Sequence, residues 1–230
     1  MDIKTLLQET KKTFRLGLPI AFGFLCIYLN NTIDTIMVGR LGPEQLATMA
    51  LALTPVRFIM MFTIGILSAL SPLISRFYGA NDIESIQPVV HQGIFIALSI
   101  GIIAGLIVFF ADHFFICLGQ PNKIIPEAKK YLIAVGLGFP PAFVYICFKF
   151  FCESISDSKA PMRFVLISIA VNIFFNYCLI YGNLGFPALG ALGSGIATCA
   201  VNYFLCIGLG LHIHLHPRYR AYGIFHHVPV

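Results

Sequence analysis

One carboxylate stands inside a run that is otherwise uncharged. Residues 16–38, LGLPIAFGFLCIYLNNTIDTIMV, contain Asp34 as their single charge, preceded by the amides Asn30 and Asn31. An ionisable side chain costs about 2.5–3.5 kcal/mol at the centre of an inserted helix, so one that is kept there faces a cavity or a partner by default. Such a group can exchange a proton or hold a small hard cation through oxygen ligands. The alternative is that Asp34 lies close enough to the membrane boundary to reach headgroup water. Two further polar groups, Asn172 and Asn176, sit four residues apart in another apolar run and so share one helix face. Amides in lipid need partners, which makes this pair either glue between helices or part of a site.

Other candidate groups read more plainly. Arg57 is the one basic residue well inside its apolar stretch and is expected to face a polar cavity or a neighbouring carbonyl. Lys149 and Glu153, four apart at the end of a run, have the spacing of a solvated helix-end pair. His212, His214 and His216 would share a face in a strand but scatter beside a helix end, and His226 and His227 follow them. Metal binding by this tail is a minor alternative. Neither HExxH nor GxSxG occurs, so the patterns of a membrane-embedded metalloprotease or serine hydrolase are missing. The seven cysteines, in or beside apolar runs and without CxxC spacing, read as small core residues.

The elements that must position these groups are membrane spans. The chain is 58% hydrophobic and 11% charged, whereas soluble domains carry about 25% charged residues. Residues 16–38 reach roughly 34 Å as a helix, enough to cross the hydrocarbon of a bilayer. Hydropathy and Gly/Pro punctuation give an all-α membrane protein with six spans, at about 16–38, 46–74, 89–111, 131–152, 162–181 and 190–212. Residues 1–15 carry apolar side chains at helical spacing among Lys4, Lys11, Lys12 and Arg15, as in an amphipathic segment at the membrane surface. Pro19 is placed to bend the first span, and Pro140 with Pro141 to break the fourth. Residues 213–230 form a polar, aromatic tail. The net charge of +5 fits an anionic leaflet, and no basic cluster marks a nucleic-acid surface.

Six spans put both termini on one side. With the N-terminus inside, the internal segments hold nine Lys or Arg and the external ones hold four, so the positive-inside rule selects cytoplasmic termini. In that frame Asp34 lies about 6 Å from the outer end of its span, with Asn176 and Asn172 roughly 9 and 15 Å from the same side. A carboxylate and two amides from separate helices thus fall at comparable depth.

Several stretches, LGLPIAFGF, TIDTIMVGRLGPEQLA, ILSALSPLISRFYGA, VHQGIFIAL, CESISDSKAPM and VNIFFNYCLIYGNLGFPALGALGSGIAT, occur in an order and at a spacing that resemble the MATE family of multidrug and toxic compound extrusion transporters, the bacterial branch above all. The resemblance covers about residues 16–211. It implies a six-helix bundle equivalent to the amino-terminal lobe of a twelve-span antiporter in the bacterial inner membrane, which exports cationic amphiphilic drugs in exchange for protons or sodium, with no cofactor. It also implies that Asp34 is the coupling site, that Asn172 and Asn176 line the same cavity, and that Glu153 is the acidic position ending the fourth helix. By depth Glu153 is expected to stand apart from the other three. Alternating access needs a second lobe, from another copy or another chain. A truncated or non-transporting fragment, a partner subunit and a lipid-flipping relative stay open.

Overall fold

The computed structural model describes residues 3–117 and 119–225. His226 and His227 lie outside the described residues. Among the described residues all regular structure is helical, in the order α1 (Ile3–Gly39), α2 (Pro43–Ser68), α3 (Leu70–Gly79), α4 (Ile86–Ile107), α5 (Ala111–Cys117), α6 (Ile125–Gly136), α7 (Phe139–Ser154), α8 (Lys159–Tyr181), α9 (Ala191–Leu215) and α10 (Pro217–Arg220). Five stretches are long and apolar enough to cross a membrane: Gly17–Gly39, Pro43–Gly79, Ile86–Phe110, Lys159–Tyr181 and Ala191–Leu215. The pair α6 and α7, bent by 43° at a short break, makes the sixth.

Local chemistry explains where the helices stop and turn. Gly42 takes φ 114°, a conformation open to glycine, and Pro43 follows at the first helical position, where its missing N–H costs nothing. α8 ends on Gly182 at φ 74°, a left-handed cap. Between α6 and α7, Pro140 and Pro141 supply no N–H to the carbonyls four residues earlier, at Gly136 and Leu137, and the span bends there. Gly101 of α4 fits against that break: a Cβ at Gly101 would lie 2.6 Å from Pro140 Cα. α1, in contrast, runs on through Pro19 from Ile3 without interruption, so the segment before the first span and the span itself are one helix.

α7 is the central element. Thirteen of its sixteen residues are buried, so it touches neighbours on every side and shows no single apolar stripe. The outward faces of the other spans are apolar too, with Phe58, Met61 and Phe95 at 73%, 74% and 73% exposure, as lipid-facing surfaces require. Four cysteines, Cys26, Cys147, Cys152 and Cys178, are buried as free thiols, whereas Cys117 is exposed.

Past α9 the chain folds back onto the end of the bundle. Arg218 Nη1 donates to Asp157 Oδ2 at 3.2 Å, and Tyr219 OH donates to the same oxygen at 2.8 Å. Gln87 Nε2 donates to the carbonyl of Gly223 at 2.7 Å, and the His91 ring lies 2.7 Å from the carbonyl oxygen of Ile224. Tyr219 is buried against Phe151 and His212. Burial, with Asp157 beside it, holds the Tyr219 phenol well above the usual tyrosine range, so it stays a neutral donor. The histidines at the end of α9 diverge: the rings of His212 and His216 are 5.1 Å apart, while His214 packs on Phe225. Among the described residues no group of three or more His, Cys, Asp and Glu could hold a metal ion.

Candidate functional site

Asp34 sits on the face of α1 that packs against α8. The two helices run in the same direction, with contacts in register along their length. Asn30 Nδ2 donates to Ser168 Oγ at 3.1 Å, the Asp34 carboxylate meets Asn172 and Asn176, and Tyr181 OH donates to the carbonyl of Met37 at 2.9 Å. Spacing by four residues creates this seam, because Asn30 and Asp34 on one helix, and Ser168, Asn172 and Asn176 on the other, each stack along a single face.

The carboxylate is tightly enclosed. Asp34 is 8% exposed, Asn172 2% and Asn176 0%. One carboxylate oxygen, Oδ1, accepts from Asn172 Nδ2 at 3.0 Å and from Asn176 Nδ2 at 2.6 Å, and Asn176 Nδ2 also donates to Asn172 Oδ1 at 3.0 Å. Both donors of the Asn176 amide are therefore used, while its own carbonyl oxygen is buried without a partner. α9 closes the site from the far side with Thr198, whose hydroxyl lies beside Asp34 and donates to the carbonyl of Ser194 at 3.0 Å. The Ser194 hydroxyl oxygen is buried and unpartnered, with Tyr131 of α6 next to it. The result is a carboxylate, two amides and a threonine hydroxyl drawn from α1, α8 and α9, in largely buried surroundings.

Such a set can do two things. With the amide N–H groups turned toward it, the carboxylate is satisfied while charged. Alternatively the carboxylate can take up a proton, or, with the amide carbonyls rotated inward, its oxygens and theirs can hold a hard monovalent cation.

Not every candidate joins this cluster. Glu153, at the end of α7, borders a crevice whose α1 wall runs from Pro19 to Ile27, and Asp34 lies seven residues beyond Ile27, about 10 Å along the helix. Lys149 and Glu153 are not a solvated helix end: their side chains are 11% and 12% exposed and lie 3.6 Å apart, closed off by α1 and by the start of α8. Arg57 is exposed on the outer surface of the lobe rather than turned to an interior cavity. Ser168, Ser194, Thr198 and Tyr131 were not singled out from sequence. For the first three the signal is present, since Ser168 extends the Asn172 and Asn176 row by one turn and Ser194 and Thr198 are again four apart.

Comparison with known proteins places the chain and its fold. The family model MatE matches residues 19–178. A probable multidrug resistance protein NorM of Halalkalibacterium halodurans is 33% identical over 203 residues, covering 86% of this chain and 44% of the relative. Its counterpart in Pseudomonas putida is 29% identical over 216 residues, covering 94% and 47%. Among solved structures, the eukaryotic MATE transporter AtDTX14 superposes with a TM-score of 0.86 at 22% identity, over 97% of this chain and 49% of that one. An outward-facing multidrug resistance MATE family transporter of the MOP superfamily gives 0.82 at 24%, over 92% and 46%. The chain spans about half the length of the relatives it matches. A family match that runs through five of the six spans, on a bundle with the matching fold, is decisive: the chain belongs to the MatE family and forms a six-helix lobe of the MATE type.

Proposed function

We propose that this lobe supplies the cation-coupling half of an antiporter that exports cationic amphiphilic compounds, with Asp34 as the group that binds the coupling ion. The observation that carries this is the enclosure of one carboxylate by Asn172, Asn176 and Thr198, with a buried, unpartnered carbonyl oxygen on Asn176 available to a bound cation. In the proposed cycle a proton or sodium ion enters from the outer side and cancels the charge of Asp34. The rows of α1 and α8 then repack, and cargo leaves outward. Loss of the ion to the inside restores the amide-held carboxylate. The charge asymmetry of the loops supports cytoplasmic termini in the bacterial inner membrane. The names of the curated relatives, probable multidrug resistance proteins, support drug-like cargo. Rocking about a midplane site needs a second six-helix body, from another copy of this chain or from another chain.

The test is efflux of a fluorescent lipophilic cation from cells that express this chain with its second lobe. Asp34→Asn keeps the shape of the side chain and removes its charge, and is expected to abolish coupled efflux while membrane insertion stays normal. Unchanged cation accumulation in that variant rejects the assignment. Comparing sodium-free with sodium-containing media at fixed pH separates the two coupling ions. A non-transporting partner subunit would show no efflux in any pairing.

A further inference from the structure

The end of the bundle that carries the tail holds cations with nothing to balance them. Lys159 and Arg163 open α8, one turn apart on one exposed face. Among the described residues neither has an ion-pair or hydrogen-bond partner. The helix does not explain them, because cations in the first turns of a helix oppose its dipole. The nearby carboxylate, that of Asp157, is taken up by Arg218 at 3.2 Å and by Tyr219 at 2.8 Å. At the opposite end of the bundle Lys123 and Lys130 are balanced, standing 3.0 Å from Glu44 and 2.8 Å from Glu127. A donor from the α9 side joins the two unbalanced cations. The ring of Phe164, next to Arg163, lies 5.8 Å from that of His212, and His212 lies 5.1 Å from His216. Arg163 itself is within electrostatic reach of His212. The exposed His216 accepts the backbone N–H of Arg218 at Nδ1, 3.3 Å away, so its proton sits on Nε2, where it is available to donate. Further along α8 the same face turns apolar, and Ile167, Ala170 and Phe174 continue the row, all exposed.

Cations at the headgroup end of a span, followed by exposed apolar side chains, match an anionic phospholipid group by group. Its phosphate meets Lys159, Arg163 and His216, and an acyl chain runs along Ile167 and Phe174. A zwitterionic lipid fits less well, because its own ammonium meets the two cations. We propose that this surface, across the ends of α8 and α9, is a binding site for one anionic phospholipid of the phosphatidylglycerol type. The site is separate from the coupling carboxylate and does not depend on the transport cycle proposed for it.

Native mass spectrometry tests it in the full chain, released from nanodiscs that mix phosphatidylglycerol with phosphatidylcholine, by the ratio of the two lipids retained. The wild type is expected to favour phosphatidylglycerol. A cation near an anionic headgroup is worth about fivefold in binding, so Lys159→Gln and Arg163→Gln are each expected to cut the preference about fivefold, and the pair to abolish it. Lys123→Gln, at the opposite end, is expected to leave it unchanged. Melting separates recognition from folding. In pure phosphatidylcholine the double variant is expected to melt at or above the wild-type Tm, since the unbalanced cations are gone, while phosphatidylglycerol raises Tm of the wild type only. A wild type that retains the two lipids equally, or a preference that survives the double variant, overturns the site. So does displacement of the lipid by inorganic phosphate at fixed ionic strength, which would mark an ion site with no need of acyl chains. Asp34→Asn is expected to keep the full preference, which keeps this result distinct from the fate of the coupling assignment.

Discussion

If Asp34 is charged and held by the amides of α8, the energies of Asp34 and Asn176 must be coupled, and the geometry sets the size of that coupling. Asn176 Nδ2 donates to Asp34 Oδ1 at 2.6 Å, with both residues buried. A hydrogen bond to a charged group contributes about 1.5–3 kcal/mol net and one between neutral groups about 0.5–1.5, so converting Asp34 to Asn should remove roughly 1 kcal/mol of this contact. In bilayers such terms are smaller, because the unfolded chain also finds partners: interhelical hydrogen bonds there average about 0.6 kcal/mol and reach about 1.7. A double-mutant cycle of Asp34→Asn with Asn176→Leu is therefore expected to give a coupling between about 0.6 and 1.7 kcal/mol. The assay is reversible unfolding in mixed micelles, for the wild type, the two single variants and the double variant. Independent sites add to within about 0.3–0.5 kcal/mol. A coupling inside that band would mean that the carboxylate is neutral or unpaired in the folded lobe, and the charged, amide-held state would have to be abandoned.

Two further outcomes check the packing that carries the site. Gly101→Ala pushes a Cβ to within 2.6 Å of Pro140 Cα and is expected to cost about 1–3 kcal/mol, a drop of several degrees in Tm; Gly65→Ala, on a helix with nothing within 4 Å, is expected to hold or raise Tm. At the other end, Tyr219→Phe deletes the 2.8 Å bond to Asp157 while Arg218 remains paired with that carboxylate. A loss of about 1.5 kcal/mol corresponds to about tenfold more open tail, read as about tenfold faster tryptic cleavage after the exposed Arg220. An unchanged cleavage rate would show that the hydroxyl does not hold the tail.

The class of the fold was legible because lipid imposes it: with 11% charged residues and runs of twenty or more apolar ones, only a helical bundle satisfies the backbone. The rows within the bundle were legible only in part. Asn172 and Asn176 declared a shared face by spacing, and counting residues from the turns put Asp34 near their depth, but neither step says that α1 lies against α8 rather than against α2. That neighbour relation comes from tertiary packing, and so does the closure by Thr198 of α9. Lys149 and Glu153 show the opposite case. Their spacing fits a solvated helix end, and nothing in the local pattern reveals that α1 and the start of α8 fold over them. A bend in the chain elsewhere decides it: the break at Pro140 and Pro141 turns α7 away from α6 by 43°. α7 thereby becomes the buried centre of the lobe, with thirteen of its sixteen residues buried, and its polar side chains have mainly the interior of the bundle in which to find partners. A helix buried on all faces cannot reserve one side for water, so the functional weight of its charged residues is set by position in the bundle rather than by sequence spacing. The same reasoning separates Asp34, whose partners lie on another helix, from Glu153, whose charge partner sits one turn away on its own helix. Only the first can change its pairing when two helices slide, and this is what the coupling role proposed for Asp34 requires.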